Sequence, residues 1–243
     1  MVLYLLCGLL SDEEVWREVA QAVASVVTVH TIAFDGLSSL HAMADRVLSH
    51  APARFALAGH SMGGRVALEV MRREPQRIIG LALLNTGVHP VGPDEPARRA
   101  ELVSLARQQG MSALARAWLP PMLDARHPPA AAVVERLTAM VQRFTAEGFA
   151  GQVQALLDRP DPRRLLPKIR VPTLLLSATG DRWSPVVQHE SMQELIPGST
   201  LAILDQAGHF APIESPAGVA GHLLEWLRLL QSGPTSALHE LRS

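Results

Sequence analysis

The stretch Phe55-Ala56-Leu57-Ala58-Gly59-His60-Ser61-Met62-Gly63-Gly64 sets the architecture of this chain. Its first four residues form an apolar run of strand length, and Arg65 to Glu74 follow with helical spacing. A strand that turns directly into a helix lifts the intervening serine onto a sharp turn. The serine backbone is then forced toward a sparsely populated conformation. Residues two positions away must be very small for strand and helix to approach, and Gly59 and Gly63 meet that demand. The turn exposes the Ser61 hydroxyl and leaves the Met62 N–H at a helix N-terminus, where developing negative charge is favoured. Gly-x-Ser-x-Gly by itself also describes an ordinary turn; the strand–turn–helix setting separates the two readings.

A serine hydroxyl is a poor nucleophile at neutral pH and needs a base, itself oriented by a third group. Two downstream segments offer them, each just after an apolar run. Val171 to Ala178 reads as a buried strand and leads into Thr179-Gly180-Asp181-Arg182-Trp183-Ser184-Pro185. Thr200 to Leu204 reads as the next strand and leads into Asp205-Gln206-Ala207-Gly208-His209-Phe210. Functional groups of parallel sheets gather at strand C-terminal ends, where both loops fall. The chain order Ser61, Asp181, His209 is that of acyl hydrolases built on such a sheet. Asp205 competes for the acid role, but it ends the histidine's own strand, whereas Asp181 arrives from the neighbouring one. A loop aspartate can also simply cap a turn, and a loop histidine can simply pack.

With these residues in place the chain resembles the α/β-hydrolase superfamily over nearly all of its length. The matching segments are Leu5 to Leu10 with Trp16, Gly59 to Gly64, and Val171-Pro172-Thr173. The Asp181-to-Pro185 loop and Gly208-His209-Phe210 with Glu214 and Pro216 complete the match. The resemblance implies Ser61 as nucleophile, His209 as general base and acid, and Asp181 as the orienting carboxylate. It implies an oxyanion hole from the backbone N–H groups of Leu9 and Met62. Relatives commonly carry His-Gly in the first loop, where this chain has Cys7-Gly8; a main-chain donor survives that exchange. The chain starts almost at that first strand, so about six parallel strands are expected in place of eight.

Apolar runs alternate with helical patterns, as a parallel sheet with right-handed crossovers requires. Strands are expected over Val2–Cys7, Val26–Phe34, Arg54–Ala58, Ile78–Asn85, Val171–Ala178 and Thr200–Leu204. Helices are expected over Asp12–Ala24, Leu37–His50, Gly63–Glu74, Pro185–Leu195 and Pro216–Leu230. From Thr86 to Arg170 only helical patterns occur, over Glu95–Gln109, Met111–Trp118, Pro129–Glu147 and Phe149–Arg159, the breaks set by Gly110 and Gly148. The expected organisation is a hydrolase core at 1–85 and 171–231, a helical cap at 86–170, and a loose polar tail at 232–243. Trp118, Met122, Met140, Phe144 and Phe149 either line an apolar acyl pocket or fasten the cap to the core, and helical stripes favour the second role. Arg98 and Arg99 read as solvated surface, with anchoring of a substrate carboxylate as the alternative. His189 and His222 read as surface residues of helices.

The 22 basic and 23 acidic residues are scattered, which argues against a nucleic-acid surface or a polybasic membrane patch. One cysteine, Cys7, precludes an internal disulfide and fits a reducing compartment; it reads as a small buried strand residue. No run reaches membrane-spanning length and the apolar start is too short for a signal segment, so a cytoplasmic protein is expected. The histidines lack metal-binding spacing and the glycines lack a nucleotide pattern, so no metal and no cofactor are expected. The sequence thus points to a serine hydrolase of a small, apolar-acyl carboxylic ester, lactone or thioester. The same residues serve C–C bond hydrolysis of diketone-type ring-fission products, although Phe210 stands where a tryptophan would favour that chemistry. A weakly catalytic ligand-binding protein on the same fold is the third reading.

Overall fold

In the computed structural model, residues 1–232 are described here. Six parallel strands form one sheet among them: β1 (Val2–Leu6), β2 (Thr28–Ile32), β3 (Phe55–His60), β4 (Ile78–Leu84), β5 (Thr173–Ala178) and β6 (Thr200–Leu204). The sheet order is β2-β1-β3-β4-β5-β6. The core helices are α1 (Arg17–Val23), α2 (Leu40–His50) and α3 (Met62–Arg73), and the insert carries α4 (Glu95–Trp118), α5 (Ala131–Gln142) and α6 (Ala146–Leu157). After β5 come α7 (Val186–Leu195), the short α8 (Ala211–Glu214) and α9 (Pro216–Ser232). The expected six-stranded α/β architecture is therefore present.

The chain order steps outward from β1 to β2 and then reverses across β1 to β3. Right-handed crossovers accordingly put α1 on one face and α2 and α3 on the other. The packing agrees: α1 lies against α9, and α2 against α3. The reversal opens a crevice at the C-terminal ends of β1 and β3, where ligands of such sheets bind. β3, β4 and β5 are almost wholly buried, because helices cover both faces, and their sequences are correspondingly apolar throughout.

Several boundaries move for identifiable reasons. The first helix opens as a 3-10 turn over Glu13–Trp16, with the Asp12 carboxylate accepting from the Glu14 N–H at 3.0 Å. α2 starts at Leu40 because Ser39 Oγ caps it, accepting from Ala42 N–H at 3.1 Å. In the insert, α4 runs through Gly110, which alone leaves the helical region (φ 81°) and kinks it. Gly148 does not end a helix, contrary to the sequence reading. Thr145 Oγ1 accepts from Gly148 N–H at 3.0 Å and so starts α6 there, placing Gly148 in its first turn. α9 extends to Ser232, and the rest of the expected tail lies outside the described residues. No described helix is long and apolar enough to cross a membrane.

α9 seals its side of the sheet with Val219, Leu223, Trp226 and Leu227, all buried. Leu223 is fully buried. Leu223→Ala is expected to lower the unfolding free energy by about 2–5 kcal/mol in denaturant titration.

Candidate active site

Ser61 joins β3 to α3 with φ 54° and ψ −118°, a conformation that costs a non-glycine residue about 1–3 kcal/mol. Three backbone restraints hold it there. Its N–H donates to Leu84 O at 2.9 Å, while its carbonyl accepts from Gly64 N–H at 3.0 Å and from Thr86 Oγ1 at 2.7 Å. The elbow is possible because of its glycines: a Cβ on Gly59 would collide with the Gly63 backbone, and one on Gly63 with the Leu6 carbonyl.

The structure brings Ser61, His209 and Asp181 together. His209 Nε2 lies 2.8 Å from Ser61 Oγ, and His209 Nδ1 lies 3.0 Å from Asp181 Oδ2. Asp181 Oδ1 also accepts from the N–H groups of Trp183 and Ser184, each at 2.8 Å, and Oδ2 accepts from Asn85 Nδ2 at 3.0 Å. Burial alone would raise the Asp181 pKa; the adjoining His209 and these donors outweigh it and hold the carboxyl well below the usual range. Asp205, the rejected alternative, is exposed.

The histidine loop is fixed from behind. Glu214 accepts from the N–H groups of Gly208 at 3.1 Å, Phe210 at 2.9 Å and Asp124 at 3.1 Å. Burial nevertheless raises its pKa. His209 N–H donates to Met122 O at 2.7 Å, so the insert and the loop brace each other. His60, beside the serine in sequence, turns behind the site and donates from Nε2 to His209 O at 2.7 Å. Burial, then the neighbouring His209, lower its pKa to about 3, which keeps it neutral.

Leu9 borders a recess at Ser61 together with His209 and Phe210, and Met62 borders the larger cavity that Ser61 also faces. Among the described residues neither the Leu9 nor the Met62 N–H has a hydrogen-bond acceptor. The loop around Leu9 is locked by Leu10, which takes φ 51° and donates its N–H to Gln152 Oε1 of α6 at 2.9 Å. Cys7 is fully buried beneath this loop, and burial pushes its thiol pKa well up.

The site opens onto a cavity of about 500 Å³ between the core and the insert. Trp118 borders both this cavity and the Ser61 recess and Met122 borders the recess, whereas Met140, Phe144 and Phe149 are buried and border neither. Arg98 is exposed as expected, but Arg99 is only 8% exposed and borders the cavity, because Glu95 holds it by an ion pair at 2.8 Å. His189 is likewise no surface residue. It is fully buried and accepts from Thr86 N–H at 3.2 Å, with its pKa lowered to about 4, chiefly by burial. His222 remains half-exposed.

Asn85, Glu214 and Gln152 had no assigned role in the sequence. Asn85 carried the clearest signal, being the polar residue that closes an apolar strand; it adopts φ 46°. Gln152 carried none, since its partner is 142 residues away. Among the described residues, no three His, Cys, Asp or Glu side chains cluster so as to hold a metal ion.

The fold has clear counterparts among known proteins. Residues 3–222 match the profile of the Alpha/beta hydrolase family, and the chain belongs to it. It is 27% identical over 253 residues to the 2-succinyl-6-hydroxy-2,4-cyclohexadiene-1-carboxylate synthase of Enterobacter sp. (strain 638), covering 93% of this chain and 92% of that protein. Among solved structures, a thermophilic esterase from Thermogutta terrifontis, with malate bound, superposes with a TM-score of 0.85 at 28% identity, covering 95% and 90% of the two chains. The enol-lactonase from Burkholderia xenovorans LB400 gives 0.83 at 25% identity, covering 94% and 91%. These relatives support a hydrolase of the ester or lactone kind.

The strong depression of His60 and His189 has a consequence for acid stability. Their folded pKa values lie below the ordinary 6.5, so the unfolded chain binds more protons in acid. The stabilisation is complete above pH 6.5 and is lost progressively toward pH 4 for His189 and pH 3 for His60. His189→Gln, which retains an acceptor for Thr86 N–H, is expected to flatten the stability–pH slope near pH 5 by about 1.4 kcal/mol per pH unit. Denaturant titrations at pH 4.5 to 7 measure it.

Proposed function

We propose that this protein is a serine hydrolase that cleaves a small carboxylic ester, lactone or thioester through an acyl-enzyme on Ser61. The observation that carries the reading is the unbroken hydrogen-bonded chain from Asp181 through His209 to Ser61, with spacings of 3.0 and 2.8 Å. Asp181 holds His209 with Nδ1–H toward the carboxylate, which leaves the Nε2 lone pair facing the serine. His209 takes the Ser61 proton as the hydroxyl attacks the substrate carbonyl. The Leu9 and Met62 N–H groups receive the oxyanion; one such donor is worth about 3–4 kcal/mol in the transition state. His209 then protonates the leaving group and later activates the water that releases the acyl group.

In this reading 1–85 and 171–231 form the catalytic core, and 86–170 form a cap whose Trp118 and Met122 wall the acyl pocket. The chemistry needs no metal or cofactor. The single, buried Cys7 suits a reducing cytoplasm.

Hydrolysis of 4-nitrophenyl esters of increasing acyl length, with Ser61→Ala in parallel, tests the assignment. Repeated turnover is expected, falling by about 10⁴-fold or more in the variant. Turnover that survives Ser61→Ala would sink it. Ser61 labelled by a fluorophosphonate without ester turnover would favour C–C cleavage, and neither labelling nor turnover would favour the binding protein.

A further inference from the structure

Of the five arginines that border the cavity Ser61 faces, three are buried: Arg65 on α3, Arg99 on α4 and Arg159 just beyond α6. Arg65 lies four residues after Ser61, which puts it about 6 Å farther along the helix on the same face. A single carboxylate serves two of them. Glu95 pairs with both terminal nitrogens of Arg159 at 2.7 Å and with Arg99 Nε at 2.8 Å. Arg159 also donates to the carbonyls of Leu156 at 2.7 Å and Pro90 at 2.9 Å, so it is fully committed to structure.

Arg65 differs. Among the described residues no carboxylate pairs with it, and its contacts are two long ones, 3.4 and 3.5 Å, to His89 O. It is only 9% exposed. Burial first, and then Arg159, lower its pKa to about 9, so it stays charged at neutral pH. Three guanidiniums against one carboxylate leave two positive charges unmet in a largely desolvated space. Arg98 and Arg182 outnumber Glu101 farther out and deepen the imbalance. Buried charges are ordinarily paired, because an unpaired one is costly to desolvate. A bracing arginine would resemble Arg159. An arginine held beside a candidate nucleophile with its donors unspent is suited to a ligand's counter-charge.

We propose that the cavity takes substrates bearing a carboxylate distant from the carbonyl under attack, with Arg65 and Arg99 as that carboxylate's partners. The proposal rests on the serine-hydrolase reading and names its substrate class: acid monoesters, or lactones with a free carboxylate. The planar guanidinium fork matches a carboxylate in two parallel hydrogen bonds, and the low-dielectric setting strengthens them. Arg65 would position the acyl chain against Ser61, while Glu95 keeps Arg99 and Arg159 in place.

The test compares monoethyl esters of four- to seven-carbon dicarboxylic acids with ethyl alkanoates of equal length, by proton release. Wild-type protein is expected to prefer the acid esters by about tenfold or more in kcat/KM, and Arg65→Met to lose most of that ratio. Glutarate should raise the Tm of wild type but not of Arg65→Met. Without added anion, the variant should melt no lower than wild type, since a buried unpaired charge has gone. Arg99→Gln supplies a second variant, and the wild-type comparison needs none.

Equal turnover of both ester series, with no glutarate-induced rise in Tm, would overturn the proposal while leaving the hydrolase reading intact. A glutarate response lost in Arg65→Met, with neither ester turned over, would support the anion site and fail the hydrolase reading instead. A variant that melts well below wild type while the ester preference is unchanged would make Arg65 structural and overturn the proposal.

Discussion

The close approach of β3 and α3 around Ser61 is the constraint on which the rest of this molecule depends. Two glycines permit it, and the Leu6, Leu84 and Thr86 segments surround it, so β1 and β4 must flank β3 at fixed distances. Sheet order, crossover handedness and the crevice between β1 and β3 then follow from one another. The strain held at Ser61 is offset by the buried sheet beneath it, where β3, β4 and β5 pair as neighbouring parallel strands. What the strain secures is position: a hydroxyl aimed out of the sheet toward His209.

Around that elbow, the buried Asn85 and Gln152 and the half-buried Glu214 do the aligning. Asn85 ties the β4 end to Asp181 and, at 3.3 Å, to Gly208 O. Glu214 gathers three N–H groups from the histidine loop and the insert, and Gln152 reaches from α6 to the loop that carries Leu9. Each lies in a low-dielectric setting where a hydrogen bond is strong and an unmade one is costly. The insert is therefore joined to the site by directional bonds as well as by apolar packing. Its helices set the cavity wall on one side and restrain the groups at its floor on the other.

Much of this was legible in the sequence because it rests on local signals. Strand-length apolar runs, the glycine-flanked serine, and the carboxylate and histidine closing consecutive strands all announce themselves within a few residues. The insert was readable as helical, but its internal break was not: Gly148 looked like a stop, whereas Thr145 overrides it by capping the next helix. His189 and Arg99 read as surface residues because each lies on a helix of mixed polarity. Burial is tolerated through a tertiary partner, Thr86, for His189, and for Arg99 through Glu95 one turn earlier on α4, which Arg159 holds in place. The charge imbalance at Arg65 was similarly hidden, since it depends on which of 23 acidic residues comes within reach. Asn85, Glu214 and Gln152 belong to the same class, being single polar residues whose meaning is a contact.

The most direct measurement is rapid-quench mass spectrometry during turnover of an activated ester, with peptide mapping of any acyl adduct. An adduct that forms and decays on the peptide containing Ser61, at rates matching turnover, is the expected result. Turnover with no covalent intermediate, or with the acyl group on another residue, would contradict the assignment of Ser61 as nucleophile.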